Sequence, residues 1–317
     1  MSDLKLFQLR NASVSELPGT SMQVEKSLQT LFEANLQAFL GIRFLATEYS
    51  TGPAHGGRID TLGIDEDGCP VIIEYKRALN ENVINQGLFY LDWLLDHKRD
   101  FQWLTLEVLG LEVSKLIDWT APRLLCIAGD FTRYDQHAIK QINRNIELLR
   151  YRRFGDELLM LELVHAPKVA RLAAPLAPHT REDSNAAVGA ATDFADPYVS
   201  QRIAYRLGNA PKEIRDIFQA TSDYLVGIGD DVQVKELKNY VAFKRIKNFA
   251  CLELYPQARV VIAYLKVDPR SVIIEEGFTR DVTKIGHFGT GDLEVSMRTL
   301  NDFTKAQPLF QRAYEGG

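Results

Sequence analysis

Residues 58–76 read RIDTLGIDEDGCPVIIEYK, and the fold of the N-terminal half turns on them. Arg58 to Ile64 and Val71 to Lys76 are strand-like, and the turn sequence Asp65-Glu66-Asp67-Gly68 between them predicts a β-hairpin. Side chains alternate along a strand, which puts Glu74 and Lys76 on one face and Ile73 and Tyr75 on the other. Ile72 shares the face of Glu74, so the second strand is apolar on both sides, as a central buried strand is. Charged groups in such a place are costly unless paired or coordinating a metal. Hairpin pairing brings Asp60 beside Glu74. Two carboxylates there repel each other unless a cation lies between them, and their oxygens suit Mg²⁺ or Mn²⁺. A lysine two residues on can orient or help deprotonate a metal-bound water and stabilise charge developing on a phosphorane. The bland reading of the same residues is a solvated charge row on a half-exposed hairpin.

Outward from the hairpin, Thr20 to Leu40 carries Val24, Leu28, Leu31, Phe32, Leu36 and Phe39 at helical spacing, with Thr20 and Gln23 as a capping box and Gly41 as the stop. A strand is expected at Ile42 to Tyr49. Asn80 caps a helical pattern from Glu81 to about Lys98, and a second helix runs to Leu109. Arg123 to Ala128 reads as a buried strand, Asp135 to Glu147 as a helix, and Leu148 to Val164 as two strands around Gly155-Asp156. This order predicts an α/β fold, a mixed sheet flanked by helices.

Ala166 to Val199 is rich in Ala, Pro, Ser, Thr and Asp and loses both hydrophobic periods, as a linker does. It separates an N-terminal domain, 1–165, from a smaller α+β domain, 200–317. The second domain shows a helix at Pro211 to Leu225, strands at Arg259 to Val267 and Leu293 to Met297, a glycine-rich turn at Gly286 to Gly291 and a final helix at Asn301 to Tyr314. Net charge is −5, which excludes indiscriminate coating of DNA but not a nucleic-acid enzyme. Met1 to Ala170 holds 18 basic and 23 acidic residues, Ser200 to Gly317 17 and 15. Three widely spaced cysteines, Cys69, Cys126 and Cys251, argue against a disulfide framework or a structural zinc site. The first residues lack a signal-peptide pattern and no run reaches membrane-spanning length, so the expected location is the cytoplasm.

Asp60, then Glu74-Tyr75-Lys76, then Gln86-Gly87-Leu88-Phe89-Tyr90 resembles the PD-(D/E)XK nuclease superfamily, in its RecB-like branch with a Gln-x-x-x-Tyr motif. GGRIDTLGIDEDGCPVIIEYKR with NVINQGLFYLDWLLDHK is similar to the catalytic domain of NucS-type endonucleases, over roughly Met22 to His165. The resemblance implies a restriction-endonuclease-like sheet. It implies that Asp60 and Glu74, with the Tyr75 backbone carbonyl, bind Mg²⁺ or Mn²⁺, that Lys76 acts on the attacking water, and that Gln86 and Tyr90 line the site. It implies also a glutamate on the first helix that completes the site. Glu25 and Glu33 are the candidates, and about 100° per residue puts Glu25 inside the apolar arc and Glu33 at its edge, favouring Glu25. No proline precedes Asp60, where Arg58-Ile59 stands instead. IGDDVQVKELKNYVAFK with KIGHFGTGDLEVSM resembles a small C-terminal domain found in such nuclease-like proteins, and that resemblance implies no reaction.

The expected function is a metal-dependent DNA endonuclease or exonuclease, in DNA repair or defence against foreign DNA. The alternative is a non-catalytic nucleic-acid-binding or scaffolding protein that keeps the nuclease fold. Arg58, behind the glycines of His55-Gly56-Gly57, and Arg133 and Arg144, in a basic run from Arg133 to Phe154, are the candidate phosphate contacts. Lys235 to Lys247 is a second basic segment that could bind a nucleic-acid backbone, with a charged helix and loop as the simpler reading. His97, His137, His287 and Asp292 have no ligand-like or nucleophile-bearing pattern. The expected partners are DNA, with RNA as the other nucleic-acid substrate, a second copy of the chain, and a protein or effector for the C-terminal domain, without a membrane.

Overall fold

The computed structural model describes residues 4–10, 13–21, 25–76, 82–166 and 203–316. The chain forms two compact units, Met1–Pro167 and Lys168–Gly317. The expected linker lies almost wholly outside the described residues, as do Asn80, Glu81 and Gln23.

The first unit opens on a hairpin that the sequence reading did not anticipate, β1 (Leu6–Arg10) and β2 (Ser13–Leu17), a two-stranded sheet of its own. Next come β3 (Gly19–Thr20), α1 (Glu25–Ala34), α2 (Leu36–Leu40), β4 (Arg43–Ser50), the short α3 (Gly52–His55), β5 (Arg58–Ile64) and β6 (Pro70–Lys76). The expected helix from Thr20 to Leu40 is therefore shorter and broken at Asn35. Thr20 forms no cap because its backbone pairs with Arg153 in a sheet. Gly41 ends α2 in the left-handed region, φ 65°, with its N–H bonded to Gln37 O at 3.1 Å. Asp65 fastens the β5–β6 turn, its Oδ1 accepting from Asp67 N–H at 3.0 Å and Cys69 N–H at 2.8 Å.

Beyond β6 lie α4 (Asn82–Asp96), α5 (Lys98–Leu109), α6 (Leu111–Lys115), β7 (Arg123–Ala128), α7 (Arg133–Ala138), β8 (Ile146–Phe154) and β9 (Leu158–His165). The helix expected at Asp135 to Glu147 is corrected to α7 and a 3₁₀ turn, Ile139–Gln141. A Thr132–Asp135 capping box starts α7, and Ile146 and Glu147 are drawn instead into a strand beside Leu124 and Leu125. The seven-stranded sheet runs β3-β8-β7-β6-β5-β4, with β9 on β8. The strands β4, β5 and β6 are antiparallel neighbours, whereas β6, β7 and β8 are parallel. Helices cover both faces. Phe32 of α1 meets Tyr75 edge-on at 5.8 Å on one side. On the other, Gly87 brings α4 so close to β7 that a Cβ there would stand 2.5 Å from Leu124 Cδ1. This is the α/β architecture the sequence predicts.

The second unit contains α8 (Ile203–Gly208), α9 (Lys212–Gly227), β10 (Gln233–Glu236), β11 (Val241–Lys244), β12 (Asn248–Tyr255), β13 (Val260–Leu265), β14 (Thr279–Asp281), β15 (Leu293–Met297) and α10 (Leu300–Gly316). Its six strands form an antiparallel sheet, ordered β10-β11-β12-β13-β15-β14. Phe218 of α9, Phe310 of α10, Phe243 and Phe249 are fully buried in one core. The basic segment at 235–247 is thus two strands, with Lys235 and Lys244 buried, and not a charged helix and loop. Alternation explains the error: a short strand with polar residues on one face carries the same composition as a helix flank. No helix among the described residues is long and apolar enough to cross a membrane.

Candidate active site

The β5–β6 ladder stops at Thr61 and Ile73, one residue short of Asp60 and Glu74. There the two carboxylates replace the missing backbone bonds. Glu74 Oε1 accepts from Asp60 N–H at 3.2 Å, and Asp60 Oδ2 accepts from Tyr75 N–H at 3.0 Å. Each carboxylate is therefore fixed by the other's strand. Glu74 is 0% exposed, and its Oε2 is buried with no hydrogen-bond partner. Burial, then the neighbouring Asp60 charge, pushes the Glu74 carboxyl up to about 9. Asp60 is also raised, by burial first, with Tyr75 N–H and Lys76 acting the other way. An unpartnered buried carboxylate oxygen beside a second carboxylate calls for either a proton or a cation. Among the described residues no group of three or more His, Cys, Asp and Glu side chains could hold a metal ion. A cation here would rest on the Asp60 and Glu74 oxygens, with main-chain or water oxygens making up the rest, a donor set that suits hard divalent ions.

Lys76, at the end of β6, is 18% exposed and its Nζ lies 3.3 Å from Glu25 Oε1 in the first turn of α1. Glu33 faces elsewhere. Its Oε1 accepts from Thr61 Oγ1 at 2.6 Å and from Gln29 Nε2 at 2.9 Å. Of the two candidate glutamates, only Glu25 is brought to Lys76. Gln29, which the sequence reading passed over, is buried between α1 and the strands. Its Nε2 is 2.8 Å from Asp60 O and 3.1 Å from Thr47 Oγ1, so it ties the helix carrying Glu25 to the backbone of Asp60. The available signal was a polar residue one turn after Glu25 on the apolar arc.

Gln86 and Tyr90 stand one turn apart on α4, with Gln86 Nε2 donating to Tyr90 Oη at 3.1 Å. That oxygen also accepts from Arg58 N–H at 3.2 Å, so α4 holds the start of β5 two residues before Asp60. Gly57 makes the approach possible, since a Cβ there would stand 2.4 Å from Tyr90 Cε1. Gly57 thus packs directly against the Tyr90 ring. Gly57→Ala is expected to displace Tyr90 and to break its hydrogen bond with Arg58 N–H, lowering the melting temperature of the N-terminal unit by a few degrees, as thermal melts would show.

Arg58 projects into solvent and pairs with Glu48 at 3.3 Å, and Lys26 reaches the same carboxylate at 2.8 Å. The Lys26 hydrogen bond holds the Glu48 carboxyl below its ordinary range. Glu48 lies across from Asp60 on β4 with φ 49°, a left-handed conformation uncommon for a side chain of this kind. Nothing in the sequence signals it. Arg133 is exposed and lies over the Tyr134 ring at 5.0 Å, and Arg144 is exposed in the turn before β8. The rest of the basic run is not one surface. Arg150 is buried and paired with Asp130 at 3.0 Å and Glu162 at 3.1 Å, and Tyr151 is buried. A central strand consumes them. His97 stacks on Trp93, ring centroids 4.6 Å apart.

Residues 205–316 match a domain of unknown function, DUF5655. An uncharacterised protein of Haemophilus influenzae is 25% identical over 313 residues, which is 98% of this chain and 99% of that protein. Among solved structures the chain is similar to a repair endonuclease from Pyrococcus abyssi, with 20% identity and a TM-score of 0.27. It is also similar to EndoMS in a complex with dsDNA, with 19% identity and a TM-score of 0.28. Each match covers 43% of this chain and 51% of the other, so the chain spans about half the length of either structure it matches.

Proposed function

We propose that the N-terminal unit is a divalent-cation-dependent nuclease that hydrolyses phosphodiester bonds of DNA. The observation that carries this reading is the Asp60–Glu74 pair, two carboxylates locked by each other's backbone, with a buried Glu74 oxygen left bare beside Lys76. Asp60 and Glu74 would hold Mg²⁺ or Mn²⁺ with the Tyr75 carbonyl. The bound ion supplies Lewis-acid stabilisation of the phosphoryl oxygens and a more acidic water. Lys76, oriented by Glu25, presents an ammonium to the nucleophilic water and to the charge that develops on phosphorus. Tyr90 and Gln86 hold the entry to β5 in place, so that Asp60 keeps its position when substrate binds. Arg58 lies at the open side, where exchanging Glu48 for a phosphate is a like-for-like trade of anions. Arg133 and Arg144 are further backbone contacts.

The test is purified full-length chain with single-stranded, duplex and branched DNA and with RNA, in Mg²⁺, Mn²⁺ or EDTA. Asp60→Ala should lose cleavage by about a thousandfold or more. Equal residual cleavage in wild type and Asp60→Ala would refute the site. Lys76→Ala should lower the rate at saturating substrate by about a hundredfold while leaving Mn²⁺ affinity nearly unchanged, and Glu25→Ala should follow it more weakly. No Mn²⁺ affinity in the wild type would favour a binding or scaffolding protein instead.

A further inference from the structure

The last strand of the N-terminal unit, β9, reads Leu158-Leu159-Met160-Leu161-Glu162-Leu163-Val164-His165, with neither proline nor glycine. Strand alternation turns Leu159, Leu161 and Leu163 to one face of the sheet and Leu158, Met160 and Val164 to the other. Apolar side chains on both faces are the pattern of a central strand, which has a neighbour on each side. Yet among the described residues β9 pairs with β8 alone and forms an edge of the sheet. The side chains from Leu159 to Val164 are all half-buried, and Leu158 is 48% exposed. The one carboxylate of the strand, Glu162, is turned back along the sheet to Arg150 at 3.1 Å.

An open row of backbone N–H and C=O groups on a long apolar strand recruits another strand unless something blunts it. The other edges of the two large sheets are blunted. β4 carries Arg43 and Glu48, its register breaks between Phe44 and Ala46, and Glu48 is left-handed. β10 is four residues long and includes Lys235 and Glu236, while β14 is three residues long and includes Arg280 and Asp281. β9 runs for eight residues. Its register with β8 is unbroken from Leu158 to Leu163 and shifts only at the last residues, and Arg150 already holds its acid.

We infer that β9 is an interface with a second copy of this chain, the two β9 strands pairing antiparallel about a two-fold axis perpendicular to the sheet. Such an axis keeps every side chain on its own face, so one residue must stand opposite its own copy. Centred on Leu161, the pairing sets Leu159 opposite Leu163, Leu158 opposite Val164 and Met160 opposite Glu162, and it uses nearly the whole strand. Centred on Glu162, it would set two carboxylates face to face. Centred on Met160, it would leave Val164 and His165 beyond the end of the other strand. The two halves of β9 therefore match each other, which a second copy requires and a foreign strand does not explain. Pairing turns two edges into the middle of one continuous sheet and satisfies the open backbone groups of both. β9 stands three strands from β6, so the interface does not rest on the nuclease reading.

Sedimentation velocity on the full chain over a concentration series reads the association, and a reversible dimer is expected. Met160→Glu sets a carboxylate opposite the second copy's Glu162, twice per dimer, and should weaken association about tenfold, whereas Met160→Lys should associate as tightly as wild type or more so. Within its own sheet Met160 lies beside Arg152, so fold stability favours the glutamate over the lysine, and a folding defect would give the reverse order. Leu161→Cys treated with a short bismaleimide should give a covalent dimer, and Phe44→Cys on β4 should not, since the three natural cysteines are buried. Cross-linking serves alone if the Met160 variants do not fold. The inference is overturned if wild type stays monomeric at high micromolar concentration, if Met160→Glu leaves association unchanged, if both Met160 variants dissociate alike, or if Leu161→Cys cross-links no more than Phe44→Cys.

Discussion

Glu74→Gln should abolish the proposed cleavage and, in EDTA above neutral pH, leave a protein more heat-stable than the wild type. Glu74 is fully buried beside Asp60 and its carboxyl is pushed up to about 9. In the unfolded chain the same group titrates near its ordinary value of 4.5. Between those values the folded state keeps a proton that the unfolded state has released. The contribution of Glu74 to stability is therefore complete below the lower value and is lost as pH rises toward the upper one. Each pKa unit of difference corresponds to about 1.4 kcal/mol, so the effect amounts to several kcal/mol. Metal-free wild type should lose of the order of 10 °C in melting temperature between about pH 5 and pH 9 through this group, and Glu74→Gln should lose much less. If the proposed metal site is right, adding Mn²⁺ at alkaline pH should restore the wild type, because the cation would take the place of the proton, and should do nothing for the variant. Thermal melts across pH, with and without metal, check all of this. Parallel pH profiles for the two proteins would show that Glu74 is not the strained group.

Arg123→Met should cost the N-terminal unit about 3–5 kcal/mol, or about 10 °C in its melting transition. Arg123 is buried at the start of β7, with Nε 2.7 Å and Nη2 2.9 Å from the two oxygens of Glu147 and Nη1 3.0 Å from Asp65 Oδ2. Burial acts to lower its pKa, and the two carboxylates more than reverse that. Removing the guanidinium leaves two buried carboxylates without their cation, and one of them, Asp65, also fastens the hairpin that carries Asp60 and Glu74. The double variant Arg123→Met/Glu147→Leu should recover part of the loss, because it leaves one charge fewer unpaired and Asp65 keeps its turn N–H bonds. A single variant that melts within about 2 °C of wild type would show that the triad is dispensable.

The parts of the candidate site that were legible in sequence are those whose geometry is local. A turn at Asp65 to Gly68 fixes the register that sets Asp60 beside Glu74, and a two-residue period sets Lys76 on the same face as Glu74. Four residues along a helix put Gln86 under Tyr90. Elements failed where a short segment served two patterns equally well. Ile146 and Glu147 carry a plausible helix end but are claimed by a parallel strand, and Lys235 to Lys244 became strands because β10 and β11 pair with each other and β11 pairs with β12.

By itself the sequence determined the hairpin, the spacing of the charged residues on it, the helix that follows, and the two-part organisation of the chain, because periodicity and turn chemistry act over a few residues. Only the tertiary structure decided that Lys76 meets Glu25 and not Glu33, that Arg150 is a buried partner and not a phosphate contact, that Gly57 is shaped by Tyr90, and that Arg123 joins Asp65 to Glu147. Each of these joins residues 20 or more positions apart, Arg150–Glu162 excepted at 12. A lone charge reads the same in sequence whether it ends in water or beside a counter-charge, and only the packing of distant strands settles which desolvation it must meet.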